Sequence, residues 1–325
     1  MYRQARTMRI GYFGDGVWAH RALERIVDDR RFAVVFVAAR NESPDLALKV
    51  YADRLNVPFL APPDVNNSEF IETVRELSPE LLVSMSFDQI VRKDLREAAR
   101  RGFINCHAGA LPFYRGRSVL NWAIINGEPR FGVTVHDIDD GIDTGDIIRQ
   151  DWVAIEENDT YGTILEKAYT QCAETLYSSL VDIAQGCASR TPQKDIHTVG
   201  SYCKRRKPGD EWLDWSWSAR CVHDFVRGIS QPGPCARTLY ERKRVAIVES
   251  RLIKDAPDYI GTPGEVVDRT PAGNIVKVGD STILISKIAD IDPADDGLAN
   301  VRVPRFRVGT RFGSAGHSPS AGGNT

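Results

Sequence analysis

The chain has 325 residues, which against a prior of roughly 100–200 residues per domain excludes a single small module and favours two domains. A hydrophobic fraction of 42% with 26% charged residues excludes a disordered or fibrous composition. Forty-two Lys+Arg against 44 Asp+Glu give a net charge of −2, so no global positive field draws the chain to nucleic acid or an anionic membrane.

The first half alternates short apolar runs with helical stretches. Strands are expected at 8–13 (MRIGYF), 32–39 (FAVVFVAA), 57–60, 81–86 and 103–106, and helices at 17–27, 45–55, 68–77 and 92–100. That βαβ rhythm predicts an α/β fold with a doubly wound, Rossmann-like N-terminal domain. A helix at 118–125, strands at 132–138 and 147–155, and a long helix from Thr160 to about Ala184 complete it. Polar and basic residues and Pro192 then break the periodicity across 186–207. Past this break a helix is expected over 214–229, entered through Trp215 and Trp217. Short strands follow at 236–240, 244–250, 264–268, 275–278 and 282–288. Regular turns between short strands predict a small open β-barrel, OB-like. The expected layout is a catalytic domain over 1–190, a linker over 191–210, a β-barrel domain over 211–312 and a disordered tail over 313–325, where apolar residues are few.

Six irregularly spaced cysteines with no C-x-x-C pair argue against a disulfide framework or structural zinc. The basic N-terminus leads into a strand-like run, without a leader's apolar stretch, and no segment has the length of a membrane span. A reducing cytoplasm is the expected location.

The first strand runs into Gly11-Tyr12-Phe13-Gly14-Asp15-Gly16 before a helix. These glycines fall as G-x-x-G-x-G, whereas a dinucleotide fingerprint needs G-x-G-x-x-G. The turn serves either tight strand-to-helix packing or, through Gly14 and Gly16, contact with substrate at the carboxyl ends of the strands.

The informative segment is 105–146. Asn105 and His107 lie two apart at the end of an apolar run, so in a strand both point to one face. Asp143 sits in the turn-rich Asp139-Asp140-Gly141-Ile142-Asp143-Thr144-Gly145, after the next strand, from where a carboxylate can return to the imidazole. Imidazole, carboxylate and amide donor suit acyl transfer without a covalent enzyme intermediate. Each group alone also fits a structural role. The D-x-D-x-D-G spacing of a calcium loop is absent.

These residues resemble the folate-dependent formyltransferases, whose ordered motifs are N-x-H, L-P-x-Y-R-G, G-V-T-x-H and D-x-G. Here they read Asn105-Cys106-His107, Leu111-Pro112-Phe113-Tyr114-Arg115-Gly116, Gly132-Val133-Thr134-Val135-His136 and Asp143-Thr144-Gly145. Arg205–Asp210 (RRKPGD) and the β-rich C-terminus are similar to the open-barrel second domain of the longer members. The resemblance implies transfer of a formyl group from 10-formyltetrahydrofolate to an amine, with no metal. By that likeness Asn105 stabilises the tetrahedral oxyanion, His107 handles the proton, and Asp143 orients His107 and raises its pKa. The folate site falls on Gln89, Ile90 and Val91, on Asp139, Asp140, Gly141 and Ile142, and on Arg117, while Arg115 with Gly14 and Gly16 falls to the acceptor. Arg117 also fits a solvated surface charge, and Trp122 the core.

For the acceptor, tRNA formyltransferases carry a basic insertion after the second strand, where this chain has the short acidic Asn41-Glu42-Ser43-Pro44-Asp45. The run Lys204-Arg205-Arg206-Lys207 fits a solvated linker. Tyr114-Arg115-Gly116-Arg117, Asn121-Trp122 and Val135-His136 resemble the wording of sugar formyltransferases, including the aminoarabinose enzyme of lipid A modification. The expected acceptor is a nucleotide-linked amino sugar for a surface polysaccharide such as lipopolysaccharide, with no nucleic-acid or membrane partner. Methionyl-tRNA and a small amine such as hydroxyornithine are the alternatives, and relatives leave a homodimer open.

Overall fold

The computed structural model describes residues 7–292 and 294–313, so 314–325 of the expected disordered tail lie outside the described residues. In chain order come β1 (Met8–Gly14), α1 (Gly16–Val27), β2 (Phe32–Ala38), α2 (Leu46–Leu55), β3 (Phe59–Leu60), α3 (Ser68–Glu76), β4 (Leu81–Met85) and α4 (Lys93–Arg96). Next are β5 (Phe103–His107), β6 (Arg115–Gly116), α5 (Val119–Ile125), β7 (Arg130–Asp137), β8 (Ile147–Ala154), α6 (Tyr161–Gln185), α7 (Gln193–Ile196) and β9 (Tyr202–Cys203). The remainder is α8 (Ala219–Gly228), β10 (Ala236–Tyr240), β11 (Lys243–Leu252), β12 (Val266–Thr270), β13 (Gly273–Lys277), β14 (Thr282–Ile291) and β15 (Leu298–Arg302).

The chain divides into two compact units. One holds the residues up to Val119, Arg130–Ala154 and Glu166–Lys204; the other holds Leu120–Pro129, Ile155–Leu165 and everything from Arg205 on. This division differs from the expected sequential domains, because segments 120–129 and 155–165 return to the second unit.

In the first unit a seven-stranded sheet runs β3-β2-β1-β4-β5-β7-β8. The ladders from β3 to β5 are parallel, and β7 and β8 are antiparallel. Strands covered on both faces read as apolar runs, as 32–38 does. Phe13 sits among Phe36, Phe87 and Phe103, with ring centroids at 5.4, 5.4 and 4.9 Å. The helix α1 buries Ala19, Ala22, Leu23 and Ile26, an i, i+3, i+4, i+7 stripe. At the start of α2, Asp45 accepts from the N–H groups of Ala47 and Leu48 and so caps the helix that was expected to begin at it.

Asp29 ties this unit together locally by accepting from Arg31 and from the Tyr177 hydroxyl. Those bonds, led by the one from Arg31, hold its carboxyl down at about 2. A depressed carboxyl pKa stabilises the fold above its ordinary value, and that stability is lost as pH falls toward 2. The pair is partly exposed, so Asp29→Asn is expected to lower the thermal midpoint at pH 7 by only about 1–2 °C. Melts repeated at lower pH should find the gap shrinking from about pH 4 downward and closing only below pH 2.

Three expected elements differ. The helix expected over 92–100 spans only Lys93–Arg96, because beyond it the bonds tighten to Ala98 N–H to Leu95 and Gly102 N–H to Ala99. The helix expected from 214 starts after Ser218, whose hydroxyl caps the Cys221 N–H. Ahead of it, the Asp214 carboxylate takes both the N–H and hydroxyl of Ser216 in a turn. The segment expected as linker contains α7 and β9, and β9 pairs in parallel with β6.

In the second unit an antiparallel sheet runs β10-β11-β14-β13-β12, with β15 added to β14. Isolated bridges from Leu239 to Gly313 and from Glu265 to Arg311 bring the segment 311–313 against both ends of the path. Gly313, the first residue of the expected tail, is thus paired. The core of Trp215, Val222, Phe225, Val245, Ile283, Phe312 and their neighbours fills one face. All six cysteines are free thiols.

Candidate active site

At the carboxyl end of β5 the period-2 alternation sets Asn105 and His107 on one face, and β7 runs antiparallel beside them with His136 opposite Asn105. The His107 ring nitrogen Nε2 lies 2.7 Å from the Tyr114 carbonyl oxygen. A carbonyl only accepts, so Nε2 carries the hydrogen and Nδ1 of the neutral ring keeps its lone pair. Nδ1 is 3.7 Å from Asp143 Oδ2, and Asp143 Oδ1 is 3.6 Å from His136 Nε2. The Gly116 N–H donates to Asp143 Oδ2 at 2.8 Å. On β7, His136 Nδ1 donates to the Asp137 carbonyl at 2.8 Å, which leaves its Nε2 to accept from Asn105 Nδ2 at 3.3 Å. That bond uses one hydrogen of the Asn105 amide and leaves the other without a partner among the described residues.

The approach of the chain to His107 is close. A Cβ at Gly109 would stand 2.4 Å from His107 Nε2. Gly116, at φ +92°, turns its N–H onto Asp143 while its own Cβ position is filled by the Cys203 carbonyl.

Burial, the dominant cause, pushes the His107 pKa below the ordinary imidazole value, and Asp143 opposes this without overcoming it. Asp143 acts upward, as expected of it, but desolvation outweighs a carboxylate that is not in hydrogen-bond contact, so the net direction is down. For Asp143 burial acts upward, but His107, His136 and the Gly116 N–H outweigh it and hold the carboxyl well below the usual range. At neutral pH the site is therefore a neutral imidazole beside a carboxylate anion.

The other expected positions are distributed around this centre. Gln89 is spent internally, donating to the Pro62 carbonyl and accepting from the Val65 N–H, while Val91 is buried. Ile90 and Ile142 are 70% and 56% exposed, two apolar side chains left on loop tips. Asp139 accepts from the Gly141 N–H and the Thr144 hydroxyl, and Arg96 bonds both the Asp139 carbonyl and the Asp140 carboxylate. Arg117 is exposed. Arg115 donates to Gln193 Oε1 at 3.0 and 2.6 Å and lies over the Tyr202 ring. Gly14 packs so that a Cβ would meet the Ala19 side chain at 2.5 Å, and the Gly16 N–H donates to Asp45. In Arg115, Gly14 and Gly16, groups expected to meet the acceptor are thus engaged within the chain.

Sequence reasoning passed over His136, Gln193 and Arg96. The one available signal was for His136, which closes the G-V-T-x-H motif. Nothing local marks Gln193, about fifty residues from the loop it binds. Among the described residues, no group of three or more His, Cys, Asp or Glu is placed to hold a metal, and no helix is long and apolar enough to cross a membrane.

Two family models match, Formyl transferase over residues 24–180 and Formyl transferase, C-terminal domain, over 205–293. The methionyl-tRNA formyltransferase of Desulforamulus reducens is 32% identical, over 86% of this chain and 90% of the relative. That of Halothermothrix orenii is 34% identical, over 93% of this chain and 97% of the relative. Among solved structures, the Helicobacter canadensis N-formyltransferase in complex with folinic acid and dTDP-3-aminofucose superposes with a TM-score of 0.66. It is 21% identical and covers 86% of this chain and 99% of its own, a likeness of fold. An amide donor, a neutral imidazole and an ionised carboxylate at one strand end, in a chain matched in both its parts, lead to one conclusion: the chain belongs to the formyl transferase family.

Proposed function

We propose that this formyltransferase moves the formyl group of 10-formyltetrahydrofolate to the amino group of a nucleotide-linked amino sugar, in the assembly of a surface polysaccharide. His107 takes the proton of the attacking amine on Nδ1, the Asp143 anion stabilises the imidazolium that results, and as the N10–formyl bond breaks the proton passes to N10 of the departing tetrahydrofolate. Asn105, its amide oriented by His136, donates its remaining hydrogen to the oxygen that gains charge, a contribution of about 10²–10³ in rate. The amine must arrive unprotonated. The exposed Ile90 and Ile142 suit the faces of a pterin, and the Asp139–Asp143 turn, clamped by Arg96, holds one of them in place.

The observation that carries the acceptor reading is the connection between β2 and α2, residues 39–45. It has no basic insertion. Its one cation, Arg40, is held by Asp15 at 3.1 Å and the Ser86 carbonyl at 2.9 Å, and Asp45 by the Gly16 N–H and His20. A tRNA backbone is recognised through free cations. The Lys204–Lys207 run offers less than its sequence promises, since Arg206 is seated over the Trp122 and Phe225 rings. Asn121, whose amide donates to the buried Gly228 carbonyl, makes one of the shared sugar-formyltransferase residues a packing feature.

A second acceptor, methionyl-tRNA, is favoured by one observation: relatives at 32–34% identity over most of the chain carry that name. The test is tetrahydrofolate release from 10-formyltetrahydrofolate with UDP-, dTDP- and GDP-linked amino sugars, hydroxyornithine and methionyl-tRNA. Turnover on one nucleotide sugar is the expected result. Turnover on methionyl-tRNA alone would replace the acceptor and leave the formyl-transfer chemistry standing.

A further inference from the structure

Gln193 is 4% exposed, and its whole amide is used. Its Nε2 donates to the carbonyls of Asp143 at 2.8 Å and Gly145 at 2.9 Å, and its Oε1 accepts two bonds from Arg115. One amide therefore links the loop that ends in the carboxylate to the loop that supplies both the Tyr114 carbonyl under His107 and the Gly116 N–H on Asp143. Both loops contain residues that resist their own conformation, Tyr114 at φ +54° and Asp143 at φ +55°. The chain around Gln193 reinforces the same loop. Arg115 N–H bonds the Ser201 carbonyl, Arg117 N–H bonds the Cys203 carbonyl, and Ser201 N–H returns to the Pro112 carbonyl. All of these contacts run between groups of the chain itself, so their effect passes through the groups they hold.

We propose that Gln193 is a positioning residue for formyl transfer, fixing Asp143 and the Tyr114–Gly116 loop in register with His107. The segment expected to be a linker is on this reading a splint for the catalytic centre. The inference rests on the reading that Asp143 serves His107. A displacement of about an ångström in such a centre costs on the order of 10²-fold in rate.

The experiment compares Gln193→Ala, the size-matched Gln193→Met, Asp143→Asn and the Asp143→Asn/Gln193→Met pair in the full chain. Two quantities are read: kcat with whichever of a dTDP-linked amino sugar or methionyl-tRNA the parent turns over, and the His107 titration by NMR. The titratable groups facing His107 are Asp143 and His136, so retreat of the Asp143 charge lets the His107 titration move to lower pH. The expected result is a loss of about 10- to 100-fold in kcat for the Gln193 variants with the donor KM held within about twofold. Their His107 titration should move downward, as in Asp143→Asn, and the pair should lose no more than Asp143→Asn alone. Gln193→Met with parental kcat and titration, while Asp143→Asn moves both, overturns the positioning role. If Asp143→Asn also leaves both unchanged, the His107–Asp143 reading is what fails.

Discussion

His107→Ala is expected to lower turnover by about 10²–10⁴-fold while donor binding persists, because the imidazole is the one neutral base at the end of β5. Its Nε2–H is committed to the Tyr114 carbonyl, so the basic nitrogen is Nδ1, and no other ring nitrogen described at this centre has that freedom. His136, the nearest substitute, spends Nδ1 on the Asp137 carbonyl and turns Nε2 toward Asn105. The rest of the site stands without the ring, since Asp143 keeps its bond from Gly116 and its loop keeps Gln193. Kinetics should show the loss in kcat, and a binding titration with tetrahydrofolate should show affinity close to the parent. Near-parental turnover would remove the base from the mechanism.

The second large effect belongs to Asp143→Asn, with an expected loss of about 10²–10³-fold in kcat. Asparagine is nearly isosteric, and its carbonyl oxygen can still accept from Gly116 N–H, so the change removes charge more than shape. The pH dependence gives the sign. Burial already sets the His107 pKa below the ordinary imidazole value, and the carboxylate is what raises it partway back. Without that anion the pKa falls further, so the acid limb of kcat/KM should move to lower pH while the plateau drops. An acid limb moving upward would mean that the limb belongs to another group. A limb that stays fixed with an unchanged plateau would mean that Asp143 is structural. Asp143 itself, held well below the usual carboxylate range, should contribute no limb above pH 4.

Much of the scaffold was legible because it is locally encoded. Strands such as 32–38 are largely buried and show as apolar runs, and the helical stretches of the first half, α1 and α2 among them, show by their patterning. Elements without such a signature were misjudged. The 92–100 stretch has helix-forming residues but tightens into turns after Arg96, which is drawn to the Asp139 loop. The 191–210 stretch has a linker's composition, yet it holds β9, whose pairing with a two-residue strand leaves no periodicity to detect. The second unit gathers 120–129 and 155–165 from within the first part of the chain, a choice made by packing that no composition shift marks.

The same division runs through the site. The sequence by itself determined the chemical groups and one piece of their geometry: Asn105 and His107 share a face because a strand alternates with period two. It also brought Asp143 into consideration through the motif order. Only the tertiary structure decided the rest. The antiparallel register of β7 on β5 puts His136 against Asn105, and the return of the chain after α6 puts Gln193 behind Asp143. The net direction of the His107 pKa was likewise undecidable from residue types, since it balances burial against a carboxylate 3.7 Å away. Hydrogen-bond partners and desolvation depend on strand order, register and the neighbours that exclude water. These are properties of segments distant in the chain, whereas propensity, capping and alternation act within a few residues of one another.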